Sequence, residues 1–309
     1  MAQNRRKFIA QTLTASAGLL LDSFGALAET PLNFQVPADF SLKILATNWG
    51  FQGSMEAFCA KAQKAGYDGI EVWAPTTTED RFELERATKA HGLEFGLLVG
   101  SGSSDFKEHF TQFIQYLKNA TPLKPLYINC HSGKDYFTFD QAQNILELST
   151  TAGKAAGVPV YHETHRGRIC YSAPVTRALM DRIPNLRLTL DISHWCVVSE
   201  SLLDDQKETV NLALSRTDHI HARVGHQEGP QVTDPRAPEW ASALKAHLAW
   251  WDKVVEFKVQ QKQPLTILTE FGPPMYMPTV PYTQQPLADQ WGINVYMMEL
   301  LRSRYLVKK

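Results

Sequence analysis

Residues 159–225 read PVYHETHRGRICYSAPVTRALMDRIPNLRLTLDISHWCVVSESLLDDQKETVNLALSRTDHIHARVG. Three short runs stand out in this stretch: Pro159–Arg166, Leu186–His194 and Asp218–Gly225. Each is rich in Val, Ile, Leu or ring side chains, and each ends in polar residues. The longer stretches between them, Ala173–Ile183 and Ser199–Leu214, carry apolar residues at helical spacing. A strand followed by a helix, repeated, is the unit of an α/β fold with a parallel sheet.

The unit continues in both directions. Upstream, strands are expected at Leu42–Trp49, Gly69–Pro75, Leu93–Gly100 and Leu126–Gly133, with helices at Gly53–Ala65, Asp80–His91, Asp105–Asn119 and Asp140–Ala156. Downstream come a helix at Pro238–Gln261, a strand at Leu265–Gly272 and a helix at Thr283–Arg302. Helix starts are marked by Thr78-Glu79-Asp80 and Thr138-Phe139-Asp140, helix ends by Gly66, Gly92 and Gly157. Eight such repeats in one run predict an α/β fold that is a single (β/α)8 TIM barrel. A doubly wound open sheet would carry a glycine-rich phosphate loop after its first strand. Here that position reads Asn48-Trp49-Gly50-Phe51-Gln52-Gly53, and neither GxGxxG nor GxxxxGK[ST] occurs. Two loops, Gly225–Pro238 and Gly272–Tyr282, are longer than plain connectors and fall on the face where barrel active sites lie.

Composition sets the outer bounds. The chain has 309 residues, 44% hydrophobic and 20% charged, which excludes wholesale disorder, collagen and a coiled coil. Residues 4–28, NRRKFIAQTLTASAGLLLDSFGALA, have a basic start, a modest apolar run and Ala26-Leu27-Ala28 as an A-x-A cleavage site. Arg5-Arg6 followed by Phe8-Ile9 resembles a twin-arginine export signal. The expectation is a signal peptide over 1–28, cleaved after Ala28, and a barrel domain over 29–309 that is periplasmic or otherwise exported. The leader holds Arg5, Arg6, Lys7 and Asp22, so its loss takes the net charge from −1 to −3. That is no footprint of a nucleic-acid binder. No later segment is long enough to span a bilayer, so no membrane partner is expected of the mature form. Cys59, Cys130, Cys170 and Cys196 form no CxxC pair and are expected to be buried apolar residues. The outer helix faces show no single seam, which leaves homo-oligomerisation open.

A barrel gathers the last residues of every strand around one mouth. Those residues are Asn129-Cys130-His131, His162-Glu163-Thr164-His165-Arg166, Asp191-Ile192-Ser193-His194, His219-Ile220-His221-Ala222-Arg223 and Thr269-Glu270-Phe271, with Glu71 on the second strand. Burying that much charge without a cation or a substrate would be costly. Glu163, Asp191, His221 and Glu270 make an oxygen-rich set suited to one divalent cation, Mn²⁺ first, with Mg²⁺, Co²⁺ or Zn²⁺ as alternatives. His221 is preferred to His219 because it lies nearer the mouth. Trp49, Trp73, Trp195, Tyr136 and Phe271 lie near strand ends, where aromatic rings can stack on a ligand or simply pack the core.

Gly66-Tyr67-Asp68-Gly69-Ile70-Glu71, Glu163, Asp191-x-x-His194, His219-x-His221 and Glu270-Phe271-Gly272 together resemble the xylose-isomerase-like barrel superfamily of sugar isomerases and epimerases. The resemblance runs along essentially the whole mature chain. It implies that Glu163, Asp191, His221 and Glu270 bind the metal. It also implies that Glu163 and Glu270 act as the acid/base pair, exchanging protons beside a carbonyl through an enediolate. His194 would contact a substrate hydroxyl, with Arg223 or His226 as a further polar contact. His131, His165 and Arg166 complete the expected substrate set; His162 and Arg168 are additional polar residues without a role. The implied partner is a small sugar or sugar acid. A lyase acting on a keto sugar or 3-keto glycoside would use the same chemistry, with His165 or His131 as acid on the leaving oxygen. A non-catalytic carbohydrate-binding barrel is a further reading. An apurinic-endonuclease relative is disfavoured, because that branch places a histidine where this chain has Val99-Gly100-Ser101.

Overall fold

The computed structural model describes residues 31–306. In chain order its elements are β1 (Leu42–Thr47), α1 (Met55–Ala65), β2 (Gly69–Trp73), α2 (Thr78–His91), β3 (Glu94–Gly100), α3 (Phe106–Ala120), β4 (Ile128–His131), α4 (Phe139–Ala156), β5 (Val160–Glu163), α5 (Ala173–Arg182), β6 (Leu188–Leu190), α6 (Ser193–Val198), α7 (Lys207–Ser215), β7 (Thr217–His221), α8 (Ala241–Gln261), β8 (Leu265–Thr269) and α9 (Gln290–Tyr305). Each strand pairs in parallel with the next, and β1 pairs with β8, closing the barrel. The predicted (β/α)8 architecture is therefore observed. The leader expected over 1–28, with its arginine pair and cleavage site, lies outside the described residues. Among the described residues no helix is long and apolar enough to cross a membrane.

Local chemistry explains the helix ends. Ser54, Thr77, Asp105 and Thr138 each accept a hydrogen bond from a first-turn backbone N–H, and Thr138 with Gln141 forms a capping box. Gly66, Gly92 and Gly157 end α1, α2 and α4 in the left-handed conformation. The main core lies between strands and helices. A separate cluster, Leu45, Tyr127 and Leu268, joins residues of β1, of the approach to β4 and of β8. Strands β4 and β8 are not neighbours, so these side chains meet across the interior and plug the barrel beneath the mouth. Gly96, opposite Glu71 in the register, leaves room for the Tyr127 ring: a Cβ there would sit 2.4 Å from it.

Two expected helices are corrected. The helix expected over Ser199–Leu214 starts only at Lys207, and a short helix, α6, precedes it over Ser193–Val198, partly on residues expected in the strand. Asp191 accepts hydrogen bonds from the Ser193 N–H (3.2 Å) and hydroxyl, which starts α6 directly after β6. The following turn places Glu200 and Leu203 at positive φ, and α7 begins only at Lys207. The helix expected from Thr283 begins at Gln290, where Asp289 caps it. All strands but β3 stop short of their expected C-terminal ends, so His194 sits on α6 rather than on β6.

Candidate metal centre

Glu163 and His221 are the last residues of β5 and β7; Asp191 and Glu270 directly follow β6 and β8. Ligand-type atoms of these four side chains lie within 4.8 Å of one another, and all four residues are buried. The set expected from the sequence is thus brought together. His221 Nδ1 lies 3.0 Å from Glu270 Oε2 and 3.7 Å from Glu163 Oε1. His221 Nδ1 and Glu270 Oε2 are both buried, and apart from each other neither has a well-formed hydrogen bond. Buried polar atoms are nearly always partnered. Buried ligand atoms that converge within 4.8 Å of one another fit a cation, and three carboxylates with one imidazole fit a hard divalent one.

The surrounding residues orient this cluster. Asn129 Nδ2 donates to Glu163 Oε2 at 2.8 Å, and His131 Nε2 lies 2.9 Å from the same oxygen. Burial alone would raise the Glu163 carboxyl, but His131 and His221 beside it hold it well below the usual range. Burial would likewise strip His221 of its extra proton, yet Glu270, Glu163 and Glu71 around it push its pKa well up. Asp191 is raised to about 6 by burial and by Glu270 and Glu163, against the pull of Arg223. Glu71 and Asn129, which the sequence reading left out of the site, face the other edge of His221: Glu71 Oε1 is 3.4 Å and Asn129 Nδ2 3.2 Å from Nε2. Strand parity was the available signal, since alternate residues share a face.

Arg223 does not face open solvent. Its Nη2 pairs with Asp191, donates to His194 Nε2 at 2.9 Å, and lies 3.5 Å from Glu270 Oε2. Its guanidinium stacks 4.7 Å from the Tyr276 ring centroid. A cation bound by Asp191 and Glu270 would share both carboxylates with it.

Above the cluster opens a cavity of about 490 Å³, lined by Trp49, Trp73, His131, His165, Arg168 and Tyr276 among others. Of the expected substrate residues, His131, His165 and Arg223 reach it. His194 is fully buried behind Arg223 and does not line the cavity; it meets the arginine instead of a ligand. Arg166 lies over the Tyr276 ring at 5.3 Å, outside the lining. His226 is displaced further: its backbone bridges to Gly229 and its ring packs on Trp240 at 4.7 Å. The turn after β7 carries it off the mouth. His162 is a buried structural histidine between Ser132 and Ser149, at 2.6 and 3.2 Å, and burial drives its pKa to about 3. Of the candidate stacking rings, Trp49 and Trp73 line the cavity, Trp195 and Phe271 are core, and Tyr136 lies outside the lining. Tyr276 was missed because no pattern singles out one residue of GPPMYMPTVPY. All four cysteines are free and buried, as expected.

No functionally curated protein sequence matches the chain. In fold it is similar to a D-allulose 3-epimerase from Methylomonas sp. (15% identity, 88% of this chain and 100% of that one, TM-score 0.57). It is similar to a probable 3-DHS dehydratase from Bacillus anthracis involved in petrobactin synthesis (18%, 85% and 99%, TM-score 0.54). It also resembles a xylose isomerase-like TIM barrel protein from Mycobacterium smegmatis in complex with magnesium (11%, 85% and 97%, TM-score 0.57). A family model described as xylose isomerase-like TIM barrel matches residues 59–232. With more than half of the sequence matched by that model and the ring of strands complete around it, the chain belongs to the xylose isomerase-like TIM barrel family.

Proposed function

We propose that this chain is an exported, divalent-metal-dependent sugar isomerase or epimerase that works through an enediolate, with Glu163 and Glu270 as the acid/base pair. The observation that carries this reading is the placement of these two carboxylates within 4.0 Å of one imidazole nitrogen, His221 Nδ1, at the floor of a sugar-sized cavity. Glu163, Asp191, His221 and Glu270 would hold a divalent cation, Mn²⁺ by preference of the donor set, which would supply the polarisation of a substrate carbonyl that acidifies the C–H beside it. Glu163, held ionised by His131 and His221, takes a proton from that carbon. Glu270, coming from another strand, returns a proton to the carbon or its neighbour. Trp49, Trp73 and Tyr276 wall the cavity with apolar rings that exclude water and stack on a sugar face. Asn129 keeps the Glu163 carboxylate oriented through its 2.8 Å hydrogen bond.

A second reading, elimination from a keto sugar or 3-keto glycoside, is favoured by one observation. His131 lines the cavity with Nε2 2.9 Å from Glu163 Oε2, an imidazole beside the carboxylate that could serve as the acid on a leaving oxygen. The similar folds named above include both an epimerase and a dehydratase.

The test is proton NMR in D₂O with metal-loaded protein and a panel of ketoses, sugar acids and 3-keto glycosides. Deuterium entering one carbon position with the skeleton intact supports the isomerase or epimerase. Loss of a hydroxyl or aglycone replaces it with the lyase. No exchange with any member, in protein shown to bind Mn²⁺, favours a carbohydrate-binding barrel.

A further inference from the structure

Three arginines stand at the mouth, and two are engaged. Arg223 is held by Asp191 and His194, and Arg166 lies over Tyr276. The third, Arg168, lines the cavity, and its Nη1 is buried with no hydrogen-bond partner. Among the described residues its guanidinium makes no hydrogen bond and no ion pair; Glu163, Tyr276 and Asp135 act on it without such a contact. Burial pushes its pKa down, the direction of a cation short of a counter-charge. Lys134 adds like charge nearby.

The backbone that presents Arg168 is pinned on both sides. Its N–H donates to the His165 carbonyl at 3.1 Å, and the Ile169 N–H donates to the Ser132 carbonyl at 2.9 Å. Gly167 between the arginines has φ of 74°, a conformation glycine takes without strain, and it makes the tight turn that sends Arg168 inward. The side chain stands at a neck. It lines the main cavity and also a second chamber of about 330 Å³ over Gly100 and Gly102, and Trp73 and Leu98 are the other shared walls.

A half-buried guanidinium without a counter-charge, facing the volume where a substrate sits, is an anion seat left for the ligand. We propose that the substrate carries a carboxylate, and that Arg168 binds it at the neck between the two chambers. The inference rests on reading this cavity as the substrate site. The planar fork of the guanidinium matches a carboxylate. A singly charged group also meets less repulsion from Glu163 and Glu270 in the same cavity than a phosphate would. The substrate class narrows to sugar acids, with Arg168 as the residue that binds the acid group.

The test is calorimetric titration of the full chain in Mn²⁺-containing buffer with matched acid and neutral pairs: D-glucuronate and D-glucose, D-galacturonate and D-galactose, with glucose 6-phosphate alongside. Binding is read without turnover, so failure here and failure of the isomerase reading are separable. The expected result is at least one pair in which the acid binds about tenfold to a hundredfold tighter, a preference lost in Arg168→Gln and partly kept in Arg168→Lys. Three outcomes overturn the proposal: no pair with such a preference, a preference that survives in Arg168→Gln, or glucose 6-phosphate binding tighter than every acid.

Discussion

Glu71 and His221 face each other inside the barrel, with Glu71 Oε1 3.4 Å from His221 Nε2, the ring edge opposite the one that faces Glu270. Burial notwithstanding, the neighbouring His221 and His219 keep the Glu71 pKa low, so it stays a carboxylate. A carboxylate behind a ligating imidazole sets its tautomer and orientation and raises its basicity. Glu71→Gln is therefore expected to lower Mn²⁺ affinity by about tenfold to a hundredfold without loss of fold. Titration calorimetry with circular dichroism checks it; unchanged affinity would remove Glu71 from this positioning role.

Glu270→Gln keeps shape and removes both a charged side chain of the cluster and half of the proposed proton-transfer pair. Turnover should fall by at least about 10²–10⁴-fold, the usual worth of a general acid or base, while the circular dichroism spectrum stays unchanged. Full activity in the variant would sink the assignment of Glu270.

His247 lies outside the cavity and is fully buried. Its Nδ1–H donates to the Ala243 carbonyl at 2.8 Å and its Nε2 accepts from the Gly225 N–H at 3.2 Å, which requires the neutral ring. Burial lowers its pKa to about 4. The unfolded ring titrates near 6.5, so between those values the unfolded chain binds one proton more than the native one. The contribution of His247 is whole above about pH 6.5 and is lost as pH falls toward 4, at up to about 1.4 kcal/mol per pH unit. Urea melts from pH 4.5 to 7.5 should show a shallower loss of stability in His247→Gln than in the parent. Parallel curves would contradict this.

Gly96→Ala would set a methyl 2.4 Å from the Tyr127 ring, which packs 4.0 Å from the ring of His219 in the barrel plug. Overpacking at such a site costs about 1–3 kcal/mol. Thermal and urea unfolding should report a loss in that range; no loss would mean that Tyr127 has room to move.

The alternation of strands and helices was legible because most strands are short runs of apolar residues and the helices after β1 to β4 open on a capping residue. The four clustered side chains were legible because each comes at or directly after the end of a strand, as His221 and Glu270 do. Side-chain direction beyond a strand end was not legible. His194 and Arg223 lie past the paired residues of β6 and β7, where local turns rather than strand parity aim the side chain. His226 was lost to a turn closed by Gly229, and Tyr276 to a loop whose composition does not say which ring points inward. Conversely, Glu71 and Asn129 obey parity but sit one step below the mouth, where polar residues are easily taken for structure.

All four clustered side chains come from β5 to β8, whereas Trp49, Glu71, Trp73 and Leu98, which wall the same cavity, come from the first three strands and the turns after them. Changes at Trp49, Trp73 or Leu98 would redraw part of the cavity wall without touching any of the four clustered side chains. Fit can drift at those three positions, whereas Glu71 is tied to His221, and His165, Arg168 and Tyr276 wall the cavity from the half of the ring that carries the cluster.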